Sequence, residues 1–225
     1  MEKKEYSLRE KKFARTKVAL MSEIIRRMEN TRFDAISIKE VCDSVEVSEG
    51  TFFNYFPQKI DVLYYFIQLH AIKLLYDTLS RTKPGSYIAF IENLFANLFA
   101  DMNNPYIVYE IISALIGQKQ EPKEVEISVL EKIYSYPESE GIDRVPVPST
   151  MLENIFKEYL EKAVANKELP EKTDIAEVVL TLKSLMVGIP LGLKIKNFQY
   201  CGEHYSRQLK ILWTGIKELY KQEGL

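Results

Sequence analysis

Glycine and proline are scarce in this sequence, with nine of each among 225 residues. Both residues interrupt helices. Hydrophobic residues make up 46% of the chain, which is enough to bury a sizeable core in one compact unit or two small lobes. We therefore expect a soluble protein that is almost wholly helical, with an all-α fold.

Histidine and cysteine are also rare, with two of each. His70 and His204 have neither HxxxH nor HxxE spacing, and Cys42 and Cys201 fit no CxxC or metal pattern. The sequence lacks a glycine-rich phosphate loop and a GxSxG nucleophile turn as well. We therefore predict no enzymatic activity, no cofactor and no metal site, and we expect Cys42 to act as a small buried hydrophobe.

Long apolar runs are missing too. None approaches the roughly 18–20 residues needed to cross a membrane, and residues 1–17 are too densely charged for a signal peptide. These features predict a cytoplasmic protein with no membrane partner.

The formal net charge is −2, which by itself argues against a nucleic-acid partner. The charge is unevenly distributed, because residues 1–17 hold seven basic and three acidic side chains. Such a segment can lie along phosphates, and the region from Lys11 to Arg15 is the best placed to do so. The alternative is an ordinary solvated tail.

Residues 36–59 have the apolar spacing of two short helices that cross at a tight turn. Ser37, with Glu40 three residues later, predicts a capping box at the start of the first helix. Ser48 can cap the second helix after a turn at Glu46 and Val47. The predicted inward residues are Val41, Cys42 and Val45 on the first helix and Phe52, Tyr55 and Phe56 on the second.

The opposite side of the second helix carries Glu49, Thr51 and Asn54. Small and amide-bearing side chains on the exposed face of a second helix suit the reading of base edges in a major groove. The pattern therefore predicts a helix-turn-helix that reads DNA. The alternative is an ordinary helical hairpin.

Over roughly residues 10–65 the chain resembles the tetracycline-repressor (TetR) family of transcriptional regulators. The family pattern Ser-x-Gly-Thr-aromatic-aromatic-x-x-Phe-x-x-Lys is met without a gap from Ser48 to Lys59. Two positions depart from the family, since Arg32 and Glu46 stand where it has glycine. A left-handed Glu46 would cost on the order of 1 kcal/mol relative to glycine, so we expect a slightly strained turn and an unchanged fold.

The resemblance implies a helix-turn-helix DNA-binding domain at residues 1–58 and a ligand-binding and dimerisation domain at residues 59–225. It also implies phosphate contacts for Tyr55 and Lys59. The full predicted set of DNA-contacting residues is Lys11, Lys12, Arg15, Ser37, Lys39, Ser48, Glu49, Gly50, Thr51, Asn54, Tyr55 and Lys59.

Apolar periodicity and the positions of proline, glycine and serine predict the other helices. They are expected at residues 7–29, 59–81, 86–103, 106–118, 122–136, 149–167, 174–190 and 203–222, with a loop at 137–148. In the resembled family the two C-terminal helices pair with their copies in a four-helix bundle. This implies a homodimer through residues 174–192 and 203–222, and the alternative is that these apolar stripes form the core of a monomer.

Aromatic residues are dense between positions 64 and 159, where we expect a ligand chamber. Asn93, Asn97, Glu110 and Lys183 are polar residues on otherwise apolar helices, and each could instead be exposed. The predicted ligand is a small hydrophobic or aromatic molecule of unknown identity. Its predicted contacts are Phe95, Phe99, Tyr106, Tyr109, Asn97 and Lys183.

Together these features predict a homodimeric regulator of transcription, a repressor that a small ligand releases from a double-stranded DNA operator. The alternatives are an activator on the same fold and a helical interaction protein whose DNA binding has degenerated.

Overall fold

The computed structural model describes residues 5–100, 104–118, 125–147 and 152–221. Within these ranges the chain is all-α, with three short 3-10 helices at Phe33–Ala35, Ile142–Arg144 and Ile195–Tyr200. The α-helices are α1 (Leu8–Arg27), α2 (Ile38–Val45), α3 (Glu49–Tyr55), α4 (Asp61–Arg81), α5 (Tyr87–Asn97), α6 (Pro105–Ile116), α7 (Val129–Ser135), α8 (Glu153–Ala165), α9 (Ile175–Leu193) and α10 (Cys201–Lys221).

The helices form two compact units. The N-terminal unit comprises Met1–Lys73 and Tyr106–Val147, and the C-terminal unit comprises Leu74–Pro105 and Pro148–Leu225. The α4 helix contributes its first part to one unit and its last part to the other. The predicted boundary between the DNA-binding and the ligand-binding domain, at residues 58 and 59, divides the chain by function and not by compactness. It stays a prediction.

The α1 helix organises the N-terminal unit, because it packs against both α2 and α7. It begins at a capping box in which Ser7 and Glu10 bond to each other's backbone N–H groups. Its apolar stripe is buried, and Leu20 and Ile24 are fully enclosed. The helix therefore forms the platform that supports α2 and α3.

The buried carboxylate of Glu131 fixes α7 against its neighbours in the N-terminal unit. Its Oε1 lies 2.8 Å from Lys17 Nζ on α1 and accepts the Tyr65 hydroxyl of α4 at 3.0 Å. Its Oε2 accepts the backbone N–H of Ser128 at 2.6 Å, which completes a capping box. One side chain thus joins three helices.

This cap also sets where α7 begins. The helix was predicted from residue 122, but residues 125–128 are not helical and α7 starts at Val129. Ser128 has the extended backbone of a capping residue, which ends the helix on that side. Residues 122–124 lie outside the described part of the chain.

Aromatic rings fill much of the C-terminal unit, where α5 packs against α8 and α10, and α9 packs against the same two helices. Phe95 stacks on Phe156 with 5.7 Å between ring centroids, and Tyr205 meets Phe95 edge-on at 5.0 Å. All three rings are almost fully buried. They connect α5, α8 and α10 into one core.

The α9 helix continues through Pro190 to Leu193, although it was predicted to end near this proline. A proline inside a helix leaves the carbonyl four residues earlier without its usual partner. Here that carbonyl belongs to Met186, and the hydroxyl of Tyr205 on α10 donates to it at 2.8 Å. This bond offsets part of the cost of the proline.

Candidate nucleic-acid interface

The first helix of the predicted reading motif is held to α1 by a charge network. Ser37 caps α2 by accepting the backbone N–H of Glu40 at 3.4 Å. The carboxylate of Glu40 lies 2.7 Å from Arg27 of α1, so the predicted capping box is only half formed. Hydrogen bonds from Arg26 and Arg27 hold the pKa of Glu23 to about 2, against the burial that would raise it.

The turn between α2 and α3 has the left-handed residue that was expected. Glu46 has φ 60° and ψ 44°, and the N–H of Val47 returns to the carbonyl of Cys42 at 3.0 Å. Arg32, the other departure from glycine, has φ −60°, which any residue adopts. Of the two positions that depart from glycine, Glu46 is therefore the one with backbone strain.

Ser48 begins α3 as predicted, because its Oγ accepts the backbone N–H of Thr51 at 3.1 Å. The hydroxyls of Ser48 and Thr51 also lie 2.9 Å apart and share one hydrogen bond. Both residues are predicted DNA contacts, and the hydroxyl that accepts this bond keeps its own proton for such a contact.

The inward face of α3 is aromatic. Phe52 and Phe56 are buried, and Phe56 meets Tyr65 of α4 with 5.5 Å between ring centroids. Tyr55 is half-buried, and its ring lies 4.6 Å from that of Phe13 on α1. Beneath these rings Cys42 is buried, as predicted, and its burial raises the pKa of its thiol.

The outward face of α3 consists of Glu49, Gly50, Phe53 and Asn54, which are all exposed. Thr51, also predicted to face outward, is only partly exposed. Phe53 was absent from the predicted set. The signal was the spacing of the three phenylalanines, because Phe52 and Phe56 lie four residues apart on the inward face and Phe53 is turned about 100° from Phe52.

The predicted phosphate-binding cations occupy different environments. Lys11, Lys12 and Lys39 are exposed. Arg15 is exposed as well, and its guanidinium carbon lies 5.4 Å from the centre of the Tyr134 ring of α7.

Lys59 is the most constrained of the predicted cations. Its ammonium donates to the carbonyls of Ile36 at 2.7 Å and Asp34 at 3.1 Å, and it lies 4.9 Å from the centre of the Phe33 ring. Burial lowers its pKa. Lys59 thus holds the segment before α2, and the proposed contact to phosphate stays a prediction that uses its third hydrogen.

No family model and no curated protein matches the sequence. Solved structures do match the chain. A crystal structure described as that of a TetR-family transcriptional regulator from Rhodococcus sp. is 13% identical and superposes with a TM-score of 0.57, covering 90% of this chain and 98% of that one. The chain has the TetR-family fold.

A second TetR-family transcriptional regulator, from Chloroflexus aurantiacus J-10-FL, is 15% identical and covers 94% of each chain with a TM-score of 0.46. This weaker superposition adds nothing to the assignment. The TetR fold places α2, α3 and their turn in the position of a helix-turn-helix, which agrees with the sequence analysis.

In this TetR-fold chain the predicted ligand contacts fall in both units. Phe95 is buried, and Phe99 lies 5.4 Å from Phe198 between ring centroids. Asn97 accepts a hydrogen bond from Arg81 at 2.5 Å in the same C-terminal unit. Tyr106 and Tyr109 belong to the N-terminal unit.

Three further polar candidates have partners within the chain. Lys183 is exposed on α9 and pairs with Glu153 at 2.5 Å. Asn93 donates to the hydroxyl of Thr82 at 2.9 Å. Glu110 accepts the backbone N–H of Phe33 at 2.9 Å, so it fixes the short helix before α2. Their part in ligand binding stays a prediction.

Proposed function

We propose that this protein is a DNA-binding regulator of transcription whose α3 helix reads base edges in the major groove. The observation that carries the proposal is the outward face of α3. Its Glu49, Gly50 and Asn54 are exposed, and Phe52 and Phe56 anchor the opposite side. Of the four outward residues of α3, these three present a polar side chain or bare backbone to the major groove of DNA.

Each outward polar group has a matching base. Asn54 can bond both the N6 amino group and N7 of adenine, and Glu49 can accept from the amino group of cytosine. The exposed cations Lys11, Lys12 and Lys39 supply phosphate contacts, which bind every sequence and weaken with salt. This division between reading and anchoring is expected of a sequence-specific regulator. Such a regulator works in the cytoplasm, next to its operator.

The proposed active form is a homodimer joined by α9 and α10. Leu180 on α9 and Ile211 on α10 are 56% and 63% exposed. Leu180 shares its side of α9 with Leu185 and Ile189, and the polar residues there are Glu177, Thr181 and Ser184. Exposed apolar residues on a helix mark a surface that binds a partner, and a second copy of this chain can bury them. The resulting dimer would place two α3 helices on one DNA site.

A membrane is the other environment that an apolar helix can suit. By length and composition α9 is the one helix of the described chain that could cross a bilayer. It carries Glu177 and the ion-paired Lys183 on exposed positions, however, and charges at such depth are costly. A partner helix therefore suits this face better than lipid.

We also propose that a small hydrophobic ligand weakens DNA binding, with Phe95 and Phe99 among its contacts. A ligand that prefers one spacing of the two α3 helices shifts DNA affinity by its differential affinity for the two states. The α4 helix, which belongs partly to each compact unit, is the element that would carry the shift. Enlarging the site with Phe99→Ala should change the ligand response and leave ligand-free DNA binding nearly unchanged, whereas equal operator affinity with and without bound ligand contradicts this mechanism.

The decisive experiment selects the preferred duplex from a random library with the full-length protein and then compares binding to that duplex and to random DNA. Asn54→Ala should reduce discrimination by about 1–3 kcal/mol if the side chain makes a bidentate base contact. Asn197→Ala, which removes an exposed asparagine in the C-terminal unit, is the matched control and should change nothing. A protein that binds all duplexes alike, before and after the Asn54 change, would not read bases through α3.

A further inference from the structure

Phe53 is the one large apolar side chain on the outward face of α3, all seven residues of which the structure describes. It is 46% exposed. Its neighbours on that face are Glu49, Gly50 and Asn54. An aromatic ring therefore projects from the middle of the surface that is proposed to enter the major groove.

The chain's own packing does not account for this exposure. Phe52 and Phe56 already fill the space beneath α3. Phe53 packs against the edge of this core, with its ring 5.3 Å from that of Phe52 at an interplanar angle of 85°. This contact orients the ring, and most of the remaining surface faces outward.

The chemistry of Phe53 limits what it can recognise. A phenyl ring has no hydrogen-bond donor or acceptor, so it forms no hydrogen bond to a phosphate oxygen or a base edge. Its available interaction is the burial of apolar surface. Among the groups that base pairs present in the major groove, the apolar one is the C5 methyl of thymine.

Gly50, one helical turn before Phe53, leaves room for a close approach. A Cβ atom at this position would meet no atom nearer than the Ser48 hydroxyl, at 3.7 Å, which is an ordinary contact. Packing within the chain thus does not require a glycine here. The missing side chain exposes bare backbone beside the Phe53 ring, and a base edge can reach the ring over it.

From this arrangement we infer that Phe53 reads a thymine by packing its ring on the C5 methyl group. The inference rests on the proposed function and names one base that α3 selects. Asn54 and Glu49 then contribute hydrogen bonds at neighbouring positions, and Phe53 contributes a contact that depends on a single methyl group.

The test removes that methyl group and nothing else. In the duplex selected by the full-length protein, each thymine is replaced singly by deoxyuridine, which keeps every hydrogen-bonding atom. Affinities are measured at one fixed salt concentration for the wild type, Phe53→Ala and Phe53→Tyr. Leu8→Ala, which removes an 85% exposed apolar side chain of α1, is the matched control.

We expect one thymine in each half-site at which deoxyuridine weakens wild-type binding by about three- to fivefold, the value of one buried methyl group. Phe53→Ala should bind thymine and deoxyuridine duplexes equally at that position. Phe53→Tyr and Leu8→Ala should keep the wild-type difference. Thermal unfolding confirms that each variant is folded.

Two other outcomes have separate meanings. If the protein selects a duplex but no thymine shows a methyl effect that depends on residue 53, the inference is overturned and the proposed function stands. If the protein selects no duplex at all, both are overturned.

Discussion

At the residue scale, Glu46 shows how the turn between α2 and α3 is built. Its φ of 60° and ψ of 44° lie in the left-handed region, where a side chain is unfavourable and glycine is not. Glu46→Gly should therefore raise the free energy of unfolding by up to about 1 kcal/mol, with part of the gain lost to the greater freedom of glycine in the unfolded chain.

Glu46→Ala is the control, because alanine keeps the Cβ atom and should give no such gain. Urea unfolding of the three proteins measures the difference. A Glu46→Gly protein less stable than Glu46→Ala would show that the strain at this turn is negligible.

Lys59 combines a structural role with a proposed contact to DNA. Its ammonium bonds the carbonyls of Asp34 and Ile36. Lys59→Ala removes both hydrogen bonds, and because water can reach at least the exposed Asp34 carbonyl, it should lower stability by about 0.5–1.5 kcal/mol. It should also weaken binding to all duplexes alike and reduce the slope of log affinity against log salt by about 1.

Salt titration separates the two roles of Lys59. Lys39→Ala, at an exposed lysine near the start of α2, tests phosphate contact without a comparable loss of stability. An unchanged salt slope in Lys59→Ala would remove Lys59 from the DNA contacts and leave only its structural role.

At the scale of helices, the contact of α7 with α1 depends on one buried ion pair. Lys17 and Glu131 are both buried, and Tyr65 bonds the same carboxylate. Removing one partner of a buried pair leaves an uncompensated charge, at a cost of about 3–5 kcal/mol. Lys17→Met should therefore be strongly destabilising.

The double variant Lys17→Met with Glu131→Gln provides the comparison. Glutamine is neutral, and its one oxygen can accept the backbone N–H of Ser128 while its NH₂ group donates to the oxygen of the Tyr65 hydroxyl. The double variant should thus be more stable than Lys17→Met alone, as measured by urea unfolding. If it is less stable, the pair contributes more through its charge than through its hydrogen bonds.

Helix existence was predictable from sequence, but some helix ends were not. The cap at Ser48 is formed as predicted, and Asp174 caps α9 at the predicted start of that helix, because caps are local features of the chain. The start of α7 was missed although it has a local signal, because Ser128 with Glu131 three residues later is a capping-box pattern. The passage of α9 through Pro190 depends on the Tyr205 hydroxyl. Long-range partners of this kind leave no local pattern.

In the candidate site too, local sequence predicted some features, and others depend on contacts in the folded chain. The alternation of Phe52 and Phe56 with Glu49 and Asn54 is local, and it predicted both faces of α3. The exposure of Phe53 and the engagement of the Thr51 hydroxyl depend on how the ring and the cap settle against their neighbours. These details decide which side chains are free to read a base.

At the scale of the whole molecule, reading two half-sites at once requires a dimer. Leu180→Glu places a charge on the exposed apolar face of α9 and should give a monomer with weakened DNA binding, because each chain would then hold only one half-site. Leu8→Glu makes the same change at an exposed position of α1 and should remain dimeric. Sedimentation equilibrium measures both, and a Leu180→Glu dimer would rule out this face as the interface.

The most direct test of the central claim is the sequence and stoichiometry of the DNA that the full-length protein selects from a random library. A dimeric reader should enrich a two-fold symmetric site with half-sites about one helical turn, or a multiple of it, apart, bound by an even number of chains. An asymmetric site bound by one chain would contradict the dimer. No enrichment at any salt concentration would contradict DNA reading itself.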